Sequence, residues 1–402
     1  MSTFSLKKMK RLELRTGQNT WEKLLSISLP LCLFFSMVSI SLVQIFLSLS
    51  IIFWVVKVIK NKERLAFPGF FLPLVSYAAL SILSSVFSVN PGISFFDSRE
   101  LLLFLVVPVT YTAFSRTKDF NRMTWALLAS GYLAALYSLF YKFFEALPGE
   151  RIRGFMGHYM TEAGILLLFC SLALSIVFFS REKSRWLWAL ALVLALFCLV
   201  LTMTRSAWIG FFVVVGFVLV LYKPITLVLV PVLAGLLFLA SPQSIKNRAL
   251  SIFDPGMYSN QERIEYFKAG IQIIKEHPLL GTGPDTVDMV FKNPKYGLTE
   301  TAKRNVHLHN NFIQIAAERG IPTLLVWLVF LIWTFLSLLR LLRNKTPALY
   351  PLTAGALAVL VALVTAGFFE YNFADSEITI LFLFLITAPF AYLRLLNKGE
   401  GA

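Results

Sequence analysis

The sequence predicts an all-α integral membrane protein, a bundle of about twelve transmembrane helices with one helical loop domain between the ninth and tenth spans. Three observations lead there. Of 402 residues, 57% are hydrophobic and only 15% charged, where a soluble chain carries roughly a quarter charged. Mean hydropathy is +0.72, more apolar side chain than one water-soluble globule can bury, so lipid must act as solvent. Only one long polar stretch, 242–320, interrupts the apolar runs.

Runs of about 20 apolar residues mark the spans in order. The stretch 24–59 is too long for one span and fits two helices joined by a tight turn. Further spans are expected near 68–88, 100–114, 124–143, 161–180, 186–203, 207–222, 225–241, 321–339, 348–368 and 378–395, the fourth being short enough to be partly interfacial. Ser-Val-Asn-Pro-Gly at 88–92 and Leu-Pro-Gly-Glu at 147–150 read as turns. The expected organisation is spans one to nine over 1–241, a loop domain on the outer face over 242–320, and spans ten to twelve over 321–402.

Basic residues set the orientation. With both termini cytoplasmic, 22 of the 37 Lys and Arg fall inside, in clusters such as Lys57–Arg64, Arg181–Arg185 and Arg340–Lys345. Nine of the others belong to 242–308, and long loops weigh little in this rule. The net charge of +15 is therefore a topology signal, and no nucleic-acid partner is expected. The apolar run after the N-terminal basic residues is too long for a cleaved signal and is expected to be an uncleaved first span. Cys32, Cys170 and Cys198 lie far apart within apolar runs, without metal-ligand spacing.

The span centres carry almost no ionisable residue, which argues against an ion-coupled transporter, although a solute facilitator stays open as an alternative class. All four histidines, His158, His277, His307 and His309, fall on the outer side. So do Arg205, Glu162, Glu370, Asp375 and Glu377, near span ends. That distribution suits an enzyme working at the outer membrane–water boundary.

Three segments carry candidate chemistry. Thr202-Met-Thr-Arg-Ser-Ala-Trp208 is a minimal turn between spans. Its Arg205 is either a snorkelling residue beside an interfacial tryptophan or a clamp for a phosphate at the bilayer surface. Arg263-Ile-Glu-Tyr-Phe-Lys-Ala-Gly270 has Ile264, Phe267, Ile271 and Ile274 at helical spacing, hence an amphipathic helix. His277-Pro278 ends it and Gly281 and Gly283 make a tight turn. Here Arg263 is either a solvated charge or an anion ligand. In His307-Leu-His-Asn-Asn, His309 or Asn310 caps a short helix ending at Gly320, and Pro322 opens the next span. A histidine at such a helix start is a candidate general base, with His307 expected to point elsewhere. The alternative is two loop histidines without a role. Three carboxylates share the turn Glu370-Tyr-Asn-Phe-Ala-Asp-Ser-Glu377. They either orient His309, pair with the arginines, bind acceptor hydroxyls or are simply solvated. His158 is a further candidate for the same cavity.

Together, Thr202–Trp208, Arg263–Gly270 with Glu276-His-Pro-Leu-Leu-Gly-Thr-Gly-Pro284, and His309-Asn with Gly320-Ile-Pro resemble the O-antigen ligase and polymerase superfamily of bacterial membrane glycosyltransferases. The residues after Gly320 depart from the ligase pattern, which leaves ligase and polymerase both open. The resemblance covers roughly 200–380. It implies glycan transfer from undecaprenyl pyrophosphate to a lipid A–core sugar hydroxyl, at the periplasmic face of the bacterial inner membrane. It implies His309 as the base that activates the acceptor, and Arg205 and Arg263 as holders of the donor pyrophosphate. It further implies no metal, no cofactor and inversion at the anomeric carbon. Transfer to a protein acceptor, as in related pilin oligosaccharyltransferases, is less expected, because the chain ends soon after its last span.

Overall fold

The computed structural model describes residues 20–114, 116–147 and 149–400, with the side chains of 398–400 left aside. The N-terminal basic cluster up to residue 19, Pro148 of the 147–150 turn and Lys398 of the last basic cluster lie outside what is described. Among the described residues there are helices and no strand. An apolar chain in lipid can satisfy its backbone groups within helices, so this outcome follows from the solvent.

Among the described residues, seven helices are long and apolar enough to cross a membrane: Ile40–Asn61, Thr117–Glu145, Tyr159–Phe179, Arg205–Tyr222, Asn311–Leu341, Leu349–Gly367 and Ser376–Asn397. The other expected spans correspond to shorter or broken elements. Thr20–Phe35 pairs with Ile40–Lys60 across the tight turn foreseen within 24–59. Phe71–Val86, Arg185–Leu201 and Pro224–Ala240 are apolar but short. The weak fourth span becomes a 3-10 segment, Ser98–Leu105, running into Val106–Ala113. Multiple apolar helices make this a multi-pass membrane protein, while a count of twelve spans remains a proposal.

Leu349–Gly367 is central, packed against Tyr159–Phe179, Arg205–Tyr222 and Ser376–Glu400. Its small residues Ala354, Gly355, Ala358, Ala362 and Ala366 let neighbours approach closely, as expected where lipid supplies little hydrophobic drive for association. A Cβ on Gly355 would lie 2.5 Å from a Leu172 methyl, so the absent side chain sets that approach.

A second, smaller core lies outside the bundle. Tyr266, Ala269 and Ile273 of the Tyr258–Glu276 helix bury against Val287, Phe291, Tyr296, Leu298, Ala302 and Leu308. This corrects the expected face of that helix. Ile264 and Phe267 are half exposed rather than buried, and the buried stripe is Tyr266, Ala269, Gly270 and Ile273. Periodicity found the helix; it could not tell an apolar stripe facing a core from one facing a cavity.

The small core is joined to the bundle by backbone. Thr282 N donates to the Ala317 carbonyl at 2.9 Å, Gly283 N to Glu318 at 2.8 Å, and Ile321 N to Pro278 at 2.9 Å. Ser84 Oγ adds hydrogen bonds to the Leu280 and Glu318 carbonyls. The Glu318 and Ile321 groups are reachable because the Asn311–Leu341 helix breaks at Gly320, whose φ is +83°. A Cβ there would lie 2.1 Å from the Leu279 carbonyl oxygen, and one on Gly281 would lie 2.2 Å from Glu318 backbone. Gly281 therefore serves to dock one backbone against another, while a Cβ on Gly283 would meet the Ser88 and Ser94 side chains.

The described helices and the basic clusters give an orientation that labelling can check. Single cysteines placed in 260–275 should react with an impermeant thiol reagent from outside, and those in 340–345 only after permeabilisation; the reverse pattern overturns the orientation. A second expectation concerns Gly320. Gly320→Ala forces a non-glycine residue into the left-handed region, at about 1–3 kcal/mol, and drives a methyl into the Leu279 carbonyl. It should loosen the 258–308 segment, seen as faster proteolysis there, while the bundle still extracts as a folded protein.

Candidate active site

The Asn311–Leu341 helix starts where its sequence says it should. Asn310 caps it, its side-chain oxygen accepting from Phe312 N at 2.9 Å and Ile313 N at 3.0 Å. His309 precedes the cap in a left-handed backbone, φ +51°, a conformation uncommon outside glycine. Leu308 N donates to Gln314 Oε1 at 2.6 Å and Asn310 Nδ2 to the Phe368 carbonyl at 2.9 Å, which holds this turn in place.

The turn aims His309 at Glu370, with Nδ1 3.0 Å from Oε1. Glu370 is almost wholly buried. Burial alone pushes its pKa up, but His309, His307 and Arg263 outweigh that and bring it down to about 2, so it is a carboxylate. A carboxylate can only accept, so a neutral His309 carries its proton on Nδ1 and keeps the lone pair on Nε2. That is the tautomer a general base requires.

His307 does not point elsewhere. Its ring centroid is 4.2 Å from that of His309, and its Nε2 is 3.8 Å from Glu370 Oε1. Burial lowers its pKa to about 4, so it is neutral near pH 7. Its Nδ1 and the second oxygen of Glu370 are buried and lack partners among the described residues, capacity that a bound hydroxyl or water would meet. The three side chains bring ligand atoms within 4.8 Å of one another. The grouping has no signature in sequence spacing, since Glu370 lies 61 residues from His309. Two imidazoles and a carboxylate have the chemistry to hold a divalent ion. The 3.0 Å contact between His309 and Glu370 also lies within hydrogen-bond range.

His309 lines a cavity of about 620 Å³ together with Arg205 and Arg263. The remaining wall is mostly apolar, with Ile209, Phe253, Ile264, Phe267 and Phe369 among its residues. The half-exposed Ile264 and Phe267 thus have a use. Arg263 donates from Nε to the Phe369 carbonyl at 3.2 Å. Arg205 is held more tightly. Its terminal nitrogens donate to the Ser251 carbonyl at 2.6 Å, Ser251 Oγ at 3.1 Å, Ser259 Oγ at 2.8 Å and Asn260 Oδ1 at 2.7 Å. Its acceptors are neutral, so its charge stays uncompensated.

The other candidates sit on the far side of the histidines. Asp375 Oδ2 accepts from Thr161 Oγ1 at 3.1 Å, and that hydroxyl is 3.5 Å from His158 Nδ1. Burial, then the charges of Glu377 and Glu370, raise Asp375 to about 7, while burial lowers His158. His158, Asp375 and Glu377 do not line the large cavity. Sequence reasoning missed two residues near the site, Arg151 and Arg248. Each looks like an ordinary surface arginine until the fold bends it back to the 202–205 turn.

The pKa of His307 makes a stability prediction. A depressed pKa means the unfolded chain binds a proton that the folded one refuses. Stability from this group is complete above about 6.5 and is lost as pH falls toward about 4. The melting temperature should therefore fall over that window, and less steeply in His307→Gln. An identical slope in the variant would remove His307 as the cause.

Residues 190–328 match the family model described as O-antigen ligase, a segment that holds Arg205, Arg248, Arg263 and His309 and stops short of Glu370. An uncharacterized protein of Haemophilus influenzae is 26% identical over 265 residues, 60% of this chain and 65% of its own length. The exopolysaccharide production protein ExoQ of Rhizobium meliloti is 24% identical over 317 residues, 70% of this chain and 72% of its own. The chain thus spans a little under two thirds of the first relative. The arginine- and histidine-bearing segment is the matched one, and over it the chain is similar to the O-antigen ligase family.

Proposed function

We propose that this protein transfers a glycan from undecaprenyl pyrophosphate to a sugar hydroxyl of lipid A–core at the periplasmic face of the inner membrane. One observation carries the reading: two guanidinium groups and a carboxylate-oriented imidazole line a single, mostly apolar cavity at the ends of apolar helices. Such a wall suits an amphiphile, with a lipid chain against Ile209, Phe253 and Phe267 and an anionic head near Arg205 and Arg263. The volume is in the range of pockets that enclose drug-sized ligands.

The reaction follows from the groups present. The acceptor hydroxyl attacks the anomeric carbon from the face opposite the pyrophosphate, and its proton passes to His309 Nε2. The carbon–oxygen bond to the pyrophosphate breaks, with the electron pair leaving on the pyrophosphate oxygen. Inversion results. The imidazolium so formed lies between Glu370 and the departing anion, both of which stabilise it. Arginines supply the positive charge that a metal supplies in other phosphate chemistry.

The ExoQ relative favours a second reading, in which the acceptor is another lipid-linked glycan and the product a longer polymer. One assay separates the two. Purified protein in EDTA is given lipid-pyrophosphate glycan, with or without lipid A–core. A larger lipopolysaccharide formed only with lipid A–core supports transfer to it. A ladder of longer lipid-linked glycans formed without it supports polymerisation. In either case His309→Ala should lower turnover by about 10²–10⁴-fold with the lipid donor still bound. Near-normal turnover by a folded His309→Ala protein would remove the base from the mechanism.

A further inference from the structure

Tyr159–Phe179 and Arg205–Tyr222 both begin beside the candidate active site, at His158 and Arg205. At 1.5 Å per residue they end about 30 Å away, at the opposite face of the bundle. A cavity of about 260 Å³ opens there. Val177 and Phe178 line it from the last turn of the first helix, Tyr222 from the end of the second, and Arg185 and Trp186 from the start of Arg185–Leu201. Phe178 meets the Tyr222 ring edge-on at 5.3 Å, while Phe179 lies 6.3 Å from Tyr222 and 5.3 Å from Tyr350. This aromatic chain ties the ends of three helices together, so the cavity beside it is part of the fold.

The surroundings are strongly basic. Segments 177–187, 219–226 and 340–350 hold seven Lys and Arg against one acidic residue, Glu182. Lys223 Nζ is 5.8 Å from the Tyr222 ring centre and Lys345 Nζ is 4.0 Å from that of Tyr350, so the aromatic chain gathers both charges. Arg185 lies in the cavity wall, its guanidinium 5.1 Å from the Trp186 ring centre. Among the described residues, none of the seven is within ion-pair distance of a carboxylate, and the Arg185 fork has no hydrogen-bond acceptor. Membrane orientation accounts for basic residues at one end of a bundle. It does not require a cavity between helix ends with an unpartnered guanidinium in its wall.

We propose that this cavity binds the headgroup of an anionic phospholipid, its phosphodiester on the Arg185 fork and beside Lys223. A guanidinium donates two parallel hydrogen bonds to phosphate oxygens, and basic pockets between membrane helices are where anionic headgroups settle. The volume is below that of pockets enclosing drug-sized ligands, the scale of a headgroup rather than of a whole lipid. The acyl chains have a place to continue. Trp186, Leu190, Val193 and Phe197 are exposed at helical spacing, an apolar stripe that starts at the cavity and follows Arg185–Leu201 along the bundle. A site that joins a free guanidinium to such a stripe matches a lipid better than a soluble anion. A zwitterionic lipid would bring its own cation against Arg185 and Lys223, whereas phosphatidylglycerol brings hydroxyls. The site is distinct from the candidate active site and does not depend on its chemistry.

The test is native mass spectrometry of the full chain in a neutral detergent, titrated with phosphatidylglycerol, phosphatidylcholine or sn-glycerol 3-phosphate. Wild-type protein should bind phosphatidylglycerol about 10-fold or more tightly than either of the others. Arg185→Gln should lose that margin. Arg185→Lys, which keeps the charge and loses the fork, should fall between, and stands in if the Gln variant does not fold. Lys118→Gln removes the same charge from an exposed residue outside the cavity and should bind as the wild type does. Unchanged phosphatidylglycerol binding by both Arg185 variants overturns the proposal. An equal loss in Lys118→Gln overturns it in favour of a diffuse positive surface. Equal binding of sn-glycerol 3-phosphate overturns it in favour of a soluble anion, and equal binding of phosphatidylcholine overturns it by removing the charge preference.

Discussion

The backbone pairing between 278–283 and 317–321 is the constraint on which the site depends. One strand of this contact ends the helix that carries Arg263, and the other belongs to the helix that begins just after His309. Side chains on two separate elements can act on one substrate only if the elements cannot slide. Here the register is set by backbone hydrogen bonds of 2.8–2.9 Å, which admit no one-residue slip. Gly281 and Gly320 make the contact possible, because a Cβ at either would stand within 2.2 Å of the opposing chain. A helix broken for this purpose loses internal hydrogen bonds, and the partner chain restores them.

Beside this ladder lies a buried ionic group. Arg319 donates to Glu318 at 2.7 Å, Asp97 at 2.8 Å and Tyr371 Oη at 3.1 Å. Tyr371 follows Glu370, so the loop that orients His309 is tied to the same helix break. Buried ion pairs add little net stability compared with apolar packing, yet removing one partner is costly. Such a group serves to define one arrangement of the loop. It is also why an acidic and a basic residue can sit beside a membrane-spanning stretch: each meets its counter-charge locally.

How much of this was legible in the sequence depended on range. A helix start at 309 or 310, the break at Gly320 and the tight turn within 24–59 are local events, governed by residues a few positions apart, and they could be read directly. Arg205, Arg263 and His309 could be singled out because each is a polar residue at an apolar boundary, and the cavity they share joins them. Glu370 was one of several equal possibilities, because its tie to His309 spans 61 residues. The position of His307 was misjudged for a different reason. It was inferred from a helix beginning at 309, whereas Asn310 caps the helix and the left-handed turn at His309 folds the two imidazoles together. Arg248 carried no signal, since a polar eight-residue helix with one arginine is ordinary surface until its Met203 partner is known.

The charges around the cavity also bear on the direction of the proposed reaction. A glycan-linked diphosphate is a diester with two negative charges, and the diphosphate released from it is a monoester able to carry a third. Charge therefore grows on the phosphate side as the glycosyl bond breaks, while the base turns from neutral to cationic. A cluster of guanidiniums without carboxylate partners favours the more highly charged species, and so favours bond cleavage more than donor binding. Glu370 does the corresponding work for the imidazolium, having no charge of its own to gain or lose at neutral pH because its pKa is held near about 2. The consequence of such a design is a leaving group bound more firmly than the donor. In the proposed reaction its route of departure is the apolar wall of the cavity.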